Sequence, residues 1–413
     1  MQHGLRTFKL ALSLAVLSTG PLSSQTPADL ATSNATATPV AYLYVPTPHG
    51  IYAYDVSSAG KPTVIKGSPF TQTKGLAIGS TGKYFITLGT YWLHSYAIEP
   101  NGAIGKQVSE VNTSEFAGGA CETLPSENLV FGTDGAVLDR VGQNAYVFLS
   151  GTWDNGDGCA GYQTFNIAAS GHLTFNTVDE WYTPANQQST GGLIFAGNNT
   201  YGYAFIWNWG DEEAPYYWLT GFERGNHGAL GGNFFYETDP EPQPGYQYNR
   251  ACNCSSPVAG VAADSTDHLA AAITAYSGAS DDFNPGATQL ASYTVDSGGN
   301  ISSTNTWENM PTISNPSLMV ISPAGNLLAF AAGTGVQFYH FNGAKPITEF
   351  TGIIGTSGYI SRMSWDKSNH LYAINGGTGN LHIYEVTTTS AHEVPGSPYV
   401  IPSGATNALV VSR

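Results

Sequence analysis

Across 413 residues the chain carries 49 glycines, 24 tyrosines and 18 phenylalanines, but only 11% charged residues. That is the composition of many short strands joined by glycine turns, not of a helical protein. Lys and Arg number 14 against 30 Asp and Glu, a formal charge of −16. Such a balance excludes nucleic acid, which needs a basic footprint, and disfavours an anionic membrane surface. A cation, a sugar or an apolar ligand fits better.

The N-terminus reads as an export signal over residues 1–24. Arg6 and Lys9 supply the positive start, Leu10 to Leu17 a short apolar run, and Ser23 and Ser24 small residues for cleavage. The run is shorter than the ~20 residues that span a bilayer, so no membrane insertion is expected. Residues 25–39 are rich in Thr, Ala, Ser and Pro and read as a disordered leader. The remainder, 40–413, is then a secreted or periplasmic body, read as a monomer.

That body repeats itself. An apolar strand, a small polar turn and a second apolar strand recur as LAIGSTGKYFITLG from Leu76, VLDRVGQNAYVFLSG from Val137 and LIFAGNNTYGYAFIW from Leu193. They recur again as VAGVAADSTDHLAAAIT from Val258, LMVISPAGNLLAFAAG from Leu318 and MSWDKSNHLYAING from Met363. Each is followed by an alternating strand with a central aromatic: Tyr96, Phe165, Phe222, Tyr293, Tyr339 and Tyr384. Period-two alternation marks half-buried strands.

A seventh copy is split between the ends. Its aromatic is Tyr54, its second strand AYLYV from Ala41, and its innermost strand NALVVSR from Asn407. Pairing the ends closes a ring and removes the exposed sheet edges. The prediction is an all-β, seven-bladed β-propeller closed by its N- and C-terminal strands within one blade.

In such a blade the connection between the second and third strands shares a face with the link to the next blade. The long connections are GTWDNGDGCAG from Gly151, WNWGDEEAPYYW from Trp207 and AYSGASDDFNPGAT from Ala275, with links over 106–136 and 231–257. All fall on one face, together with Cys121, Cys159, Cys252 and Cys254. In an exported chain these four read as structural disulfides, and sequence leaves all three pairings open.

Chemistry candidates follow from that placement. Asp211 and Glu212, with Glu213, Asp281 and Asp282, form an acidic set whose paired carboxylates suit acid–base work. Asp154 and Asp157 in DNGDG have the oxygen density of a Ca²⁺ loop without the EF-hand spacing, so Ca²⁺ is a candidate ion and no cofactor is required. Trp153, Trp207 and Trp209 are aromatic platforms for a sugar or apolar ligand. Residues just before each inner strand line the channel mouth: Lys74, Asp134, Thr190, Asn315, Arg362 and Asn407. There the cations Lys74 and Arg362 suit an anionic group or a polarised carbonyl. Arg224 occupies a slot that is apolar in other copies, held there by Ile98, Ile167, Val295 and Val386, so either it has a carboxylate partner or that blade bends locally. No GxSxG, HExxH, P-loop or GxGxxG motif stands in a convincing context.

The motifs GSTGKYFITLG, SPAGNLLAFAAG and DKSNHLYAINGG, followed by strands such as HSYAIEPNGAI and ASYTVDSGGNI, resemble the bacterial lactonase-type and YVTN-repeat propellers, relatives of 6-phosphogluconolactonase. The resemblance covers roughly 40–413 and implies the fold. Lactonase members carry a Gly-Pro-Arg-His type element where an inner strand begins. The equivalent positions here read QTKGLAI, SNPSLMV and ISRMSW, so the His is absent and only Lys74 or Arg362 stands in for the Arg. Two functions result: an exported propeller gripping a carbohydrate-like or protein ligand on its ornate face, and a lactonase-like hydrolase using Lys74, Arg362 and Asp134 at the channel mouth.

Overall fold

A computed structural model describes residues 38–116, 129–152, 158–183, 187–189, 193–209, 215–233, 255–277, 284–356, 358–405 and 407–413. The polar turns recognised in the repeat break each copy into four antiparallel strands, and seven such blades form a closed propeller. Blade 1 joins the two ends of the chain, with Leu409–Ser412 innermost, then Ala41–Thr47, Gly50–Val56 and Pro62–Val64. Its closing register runs Ala41↔Ser412 to Tyr44↔Leu409, as the split repeat required. The other blades begin with inner strands Leu76–Ser80 (blade 2), Leu129–Leu138 (blade 3), Gln187–Ser189 with Ile194–Phe195 (blade 4), Ser255–Ala263 (blade 5), Pro316–Ile321 (blade 6) and Ile360–Trp365 (blade 7).

The core lies between blades. Each strand shows apolar side chains to both neighbouring sheets, so the described residues fall into seven hydrophobic clusters, one at each junction round the ring. The third-strand aromatics Tyr54, Tyr96, Phe165, Phe222, Tyr293, Tyr339 and Tyr384 are all buried in them. Full burial of such a ring is worth about 1.5–3 kcal/mol over leaving it exposed.

Hydrogen bonds then fix the blades in angle. Tyr44, Tyr146 and Tyr203, each in the second strand of its blade, donate to the carbonyls of Gly102, Gly228 and Gly299 in the next blade, at 2.8, 2.8 and 2.7 Å. Those glycines sit at φ +81°, +85° and +83°, and a Cβ there would collide with Tyr42, Asn144 and Tyr201. The turn therefore needs glycine both for its conformation and for the close approach.

Strands run further than the sequence pattern foretold. Trp207 and Trp209 belong to the strand Tyr201–Trp209, paired opposite Tyr217 and Pro215, and not to a loop. The alternating aromatics extend the ladder because rings and branched side chains suit a pleated surface. The links expected over 106–136 and 231–257 shorten likewise, because Ile104–Asn112 and Leu129–Leu138 reach into the first and Leu230–Asn233 and Ser255–Ala263 into the second.

Candidate functional site

Antiparallel blades divide the connections between two faces. One face carries the first-to-second and third-to-fourth turns, all short. The other carries the second-to-third turns and the links between blades, and these include every long connection. The second face is the one singled out in the sequence, and it holds a groove of ≈ 750 Å³ between blades 1 and 2.

Three segments build that groove: the turn Thr47–Gly50, the link through Thr71, Thr73 and Gly75, and the turn Gly89–Tyr91. Tyr91 is 39% exposed and the adjoining Trp92 42%. Pro48 and His49 line the groove alongside Thr71, Thr73 and Thr90, and the Thr73 hydroxyl donates to the Phe70 carbonyl at 2.7 Å. Rings next to hydroxyls offer stacking together with neutral hydrogen bonding.

Lys74 stands in the same link, two residues before the inner strand of blade 2. Its backbone is fixed: the N–H donates to the Tyr96 hydroxyl at 3.0 Å, and its carbonyl accepts from Thr87. The ammonium lies 3.9 Å from Glu110, both groups being well exposed. Glu110 also lies 3.5 Å from the ring of buried His94. Burial, and then the charge of Lys74, hold the His94 imidazole below its ordinary pKa, against the opposing pull of Glu110. His94 is thus a buried, neutral imidazole at neutral pH.

The other mouth residues divide. Asn315 directly precedes Pro316–Ile321, exposed and at φ +46°. Asn407 precedes Leu409–Ser412 and accepts from the Ala408 N–H at 2.8 Å. Both stand at the entry of an inner strand. Arg362 does not: it is the third residue of Ile360–Trp365, after a bulge, and its Nη1 donates to the Ser361 carbonyl at 2.8 Å. Asp134 is also misplaced by the sequence reading. It lies inside Leu129–Leu138, where pairing breaks between Gly132 and Val137. The apolar run Leu129–Phe131 pairs with Leu149–Gly151, so this inner strand starts earlier and Asp134 falls in its bulge.

Trp153, Asp154, Asp157, Thr190, Asp211, Glu212, Glu213, Asp281, Asp282, Cys121, Cys252 and Cys254 lie outside the described residues. The strand ends that flank the acidic and tryptophan segments, at Thr152 and Gly158 and at Trp209 and Pro215, belong to the long-connection face. Cys159 is buried in Gly158–Ile167, opposite Gly151 and Tyr182.

On the short-turn face Arg224 has the carboxylate its slot demanded. Its Nη2 donates to Asp139 of the preceding blade at 2.8 Å and also to Asn144, and its Nε donates to the Tyr146 hydroxyl at 3.1 Å. Asp139 is fully shielded and further accepts from the Gln143 and Asn144 N–H groups and the Asn199 amide. In blade 7 the same turn position is Asp366, which accepts from the Ser368 and His370 N–H groups, the His370 ring and the Tyr372 hydroxyl. Burial alone would raise its pKa; these donors outweigh it and hold the carboxyl below the usual range.

Sequence reasoning missed the groove between blades 1 and 2. Its residues come from the short segments TPHG, TQTKG and GTY, which carry no catalytic spacing. The one available signal was the aromatic doublet Tyr91–Trp92, where the second-to-third turn of blade 2 meets its third strand.

No protein-family model matches the chain, and no curated protein matches it. Solved structures do. A candidate 6-phosphogluconolactonase from Bacteroides fragilis is 13% identical, with a TM-score of 0.52 over 92% of this chain and 100% of that one. A functionally unknown protein from Desulfotomaculum acetoxidans is 12% identical, with a TM-score of 0.55 over 90% of this chain and 99% of that one. At these identities the likeness is one of fold.

Proposed function

We propose that this chain is an exported propeller that binds a neutral, carbohydrate-like ligand on its long-connection face. The observation that carries the reading is the ≈ 750 Å³ groove between blades 1 and 2. That volume is within the range of small-molecule sites, about 300–1,000 Å³. The Tyr91 ring supports the C–H face of a sugar, and Thr71, Thr73 and Thr90 match its hydroxyls. Trp153, Asp211 and Glu212 extend the same surface in this proposal, and a disulfide from Cys159 pins it. Ca²⁺ at Asp154 and Asp157 is proposed as an optional brace, to be checked by a chelator-dependent melting temperature.

A thermal-shift screen of the full chain against neutral oligosaccharides tests the reading. Stabilisation that disappears in Tyr91→Ala is the expected result. Turnover of a lactone that Lys74→Ala or Arg362→Ala abolishes, without glycan binding, would replace it with the hydrolase. Stabilisation by a protein and by no glycan would keep the face and change the ligand class.

A further inference from the structure

The short-turn face carries a second concavity, of ≈ 670 Å³, where the turns of blades 2, 3 and 4 meet. Its polar lining includes Lys83, Gln143, Asn144, Asn166, Arg224 and His227, and no Asp or Glu among the described residues. In a chain with 30 acidic residues against 14 basic ones, an acid-free cleft bearing Lys, Arg and His is a local reversal of charge.

Arg224 is the built part of this cleft. Its side chain is 16% exposed, and its Nε and Nη2 are engaged by Tyr146, Asp139 and Asn144. Among the described residues no acceptor meets its Nη1. The guanidinium is thus held rigid on one edge and offers donors on the other, so an acceptor there is bound without loss of Arg rotamer freedom. The Asn144 amide donates to Asn166 and to the His227 carbonyl at 2.9 and 2.8 Å, which ties the cleft wall to the third strand of its own blade and to the turn of blade 4.

We propose that this cleft is a binding site for a small hydroxylated monocarboxylate, separate from the groove on the opposite face. Asp139 neutralises Arg224, which leaves Lys83 as the uncompensated charge; a site with one net positive charge matches a monoanion better than a phosphate dianion. The carboxylate meets Arg224 Nη1 and approaches Lys83. The neutral amides of Gln143 and Asn166 serve the hydroxyls.

The test is titration of the isotope-labelled full chain with glycerate, with glycerol as its neutral counterpart and inorganic phosphate as the competing oxyanion. Glycerate is expected to give saturable shifts at 81–84, 141–144 and 224–228, with glycerol giving none. Lys83→Gln, an exposed position, should weaken glycerate about two- to fivefold. Arg224→Lys, which keeps a cation on Asp139 but loses Nη1, should weaken it about tenfold or more; its folded state is verified by its melting curve. Equal response to glycerol and glycerate, absence of saturable shifts, phosphate displacing glycerate at lower concentration, or unchanged affinity in both variants would each overturn the proposal. Failure here leaves the opposite groove untouched, because none of its residues is altered.

Discussion

The two faces of the ring are made differently. On the short-turn face, carboxylates, amides and tyrosine hydroxyls reach into neighbouring blades: Asp139 to Arg224, Asn144 to His227, Tyr203 to Gly299. On the long-connection face the described groove is lined by the exposed Tyr91, by Pro48 and His49, and by threonines of the turns and the link. Tyr91 and Trp92 are more than a third exposed, whereas Asp139 and Asp366 are fully shielded. The lesson is a division of labour: one face carries the angular register of the blades, and the other is free to vary for recognition.

The strongest way to break that comparison is Arg224→Leu. It strands the Asp139 carboxylate without its cation, and loss of one partner of a buried pair costs about 3–5 kcal/mol. Urea unfolding should show that loss, whereas Tyr91→Ala on the other face should stay within about 0.5 kcal/mol. Equal costs would remove the distinction between the faces.

A smaller effect is expected at the tyrosine staples. Tyr203→Phe removes one hydrogen bond to the Gly299 carbonyl and should cost about 1 kcal/mol. The measurement is again the denaturant midpoint, and no change would mean that the staples only follow the packing.

Acid should separate the faces further. The folded-state pKa of His94 lies below the unfolded value of about 6.5, so the unfolded chain takes up the proton more readily. Its contribution is present above that pH and is lost as pH falls below it. Asp366 has a depressed pKa, so its contribution is present above the unfolded value of about 3.9 and goes only as pH falls through its lower folded value. Amide exchange on acidification should therefore open the blade 2 edge under the groove before the blade 7 turn. His94→Gln, which installs the residue type found at the equivalent Gln163 and Gln337, should flatten the first step. The opposite order would contradict these assignments.

Much of this was legible in the chain. The aromatic of each third strand was readable because its slot recurs, and all seven are core residues. Ring closure was readable because Ala41 and Asn407 supply the two strands one copy lacked, and Arg224 because a charge in an apolar slot demands a partner. Strand length was less legible: alternating tryptophans continue a ladder as readily as they decorate a loop, so the pattern of Trp207 and Trp209 alone does not separate strand from loop. Asp134 was misplaced because a bulge hides the register from a simple apolar pattern. Of the groove only the Tyr91–Trp92 doublet was legible, since its three short segments meet only through the curvature of the ring.

Hydrogen–deuterium exchange with a bound neutral oligosaccharide tests the central claim most directly. Protection confined to the peptides covering 47–51, 71–76 and 88–92 is expected, with the Asp139–Arg224 region unchanged. Protection on the short-turn face alone, or none at saturating glycan while a lactone is turned over, would contradict it.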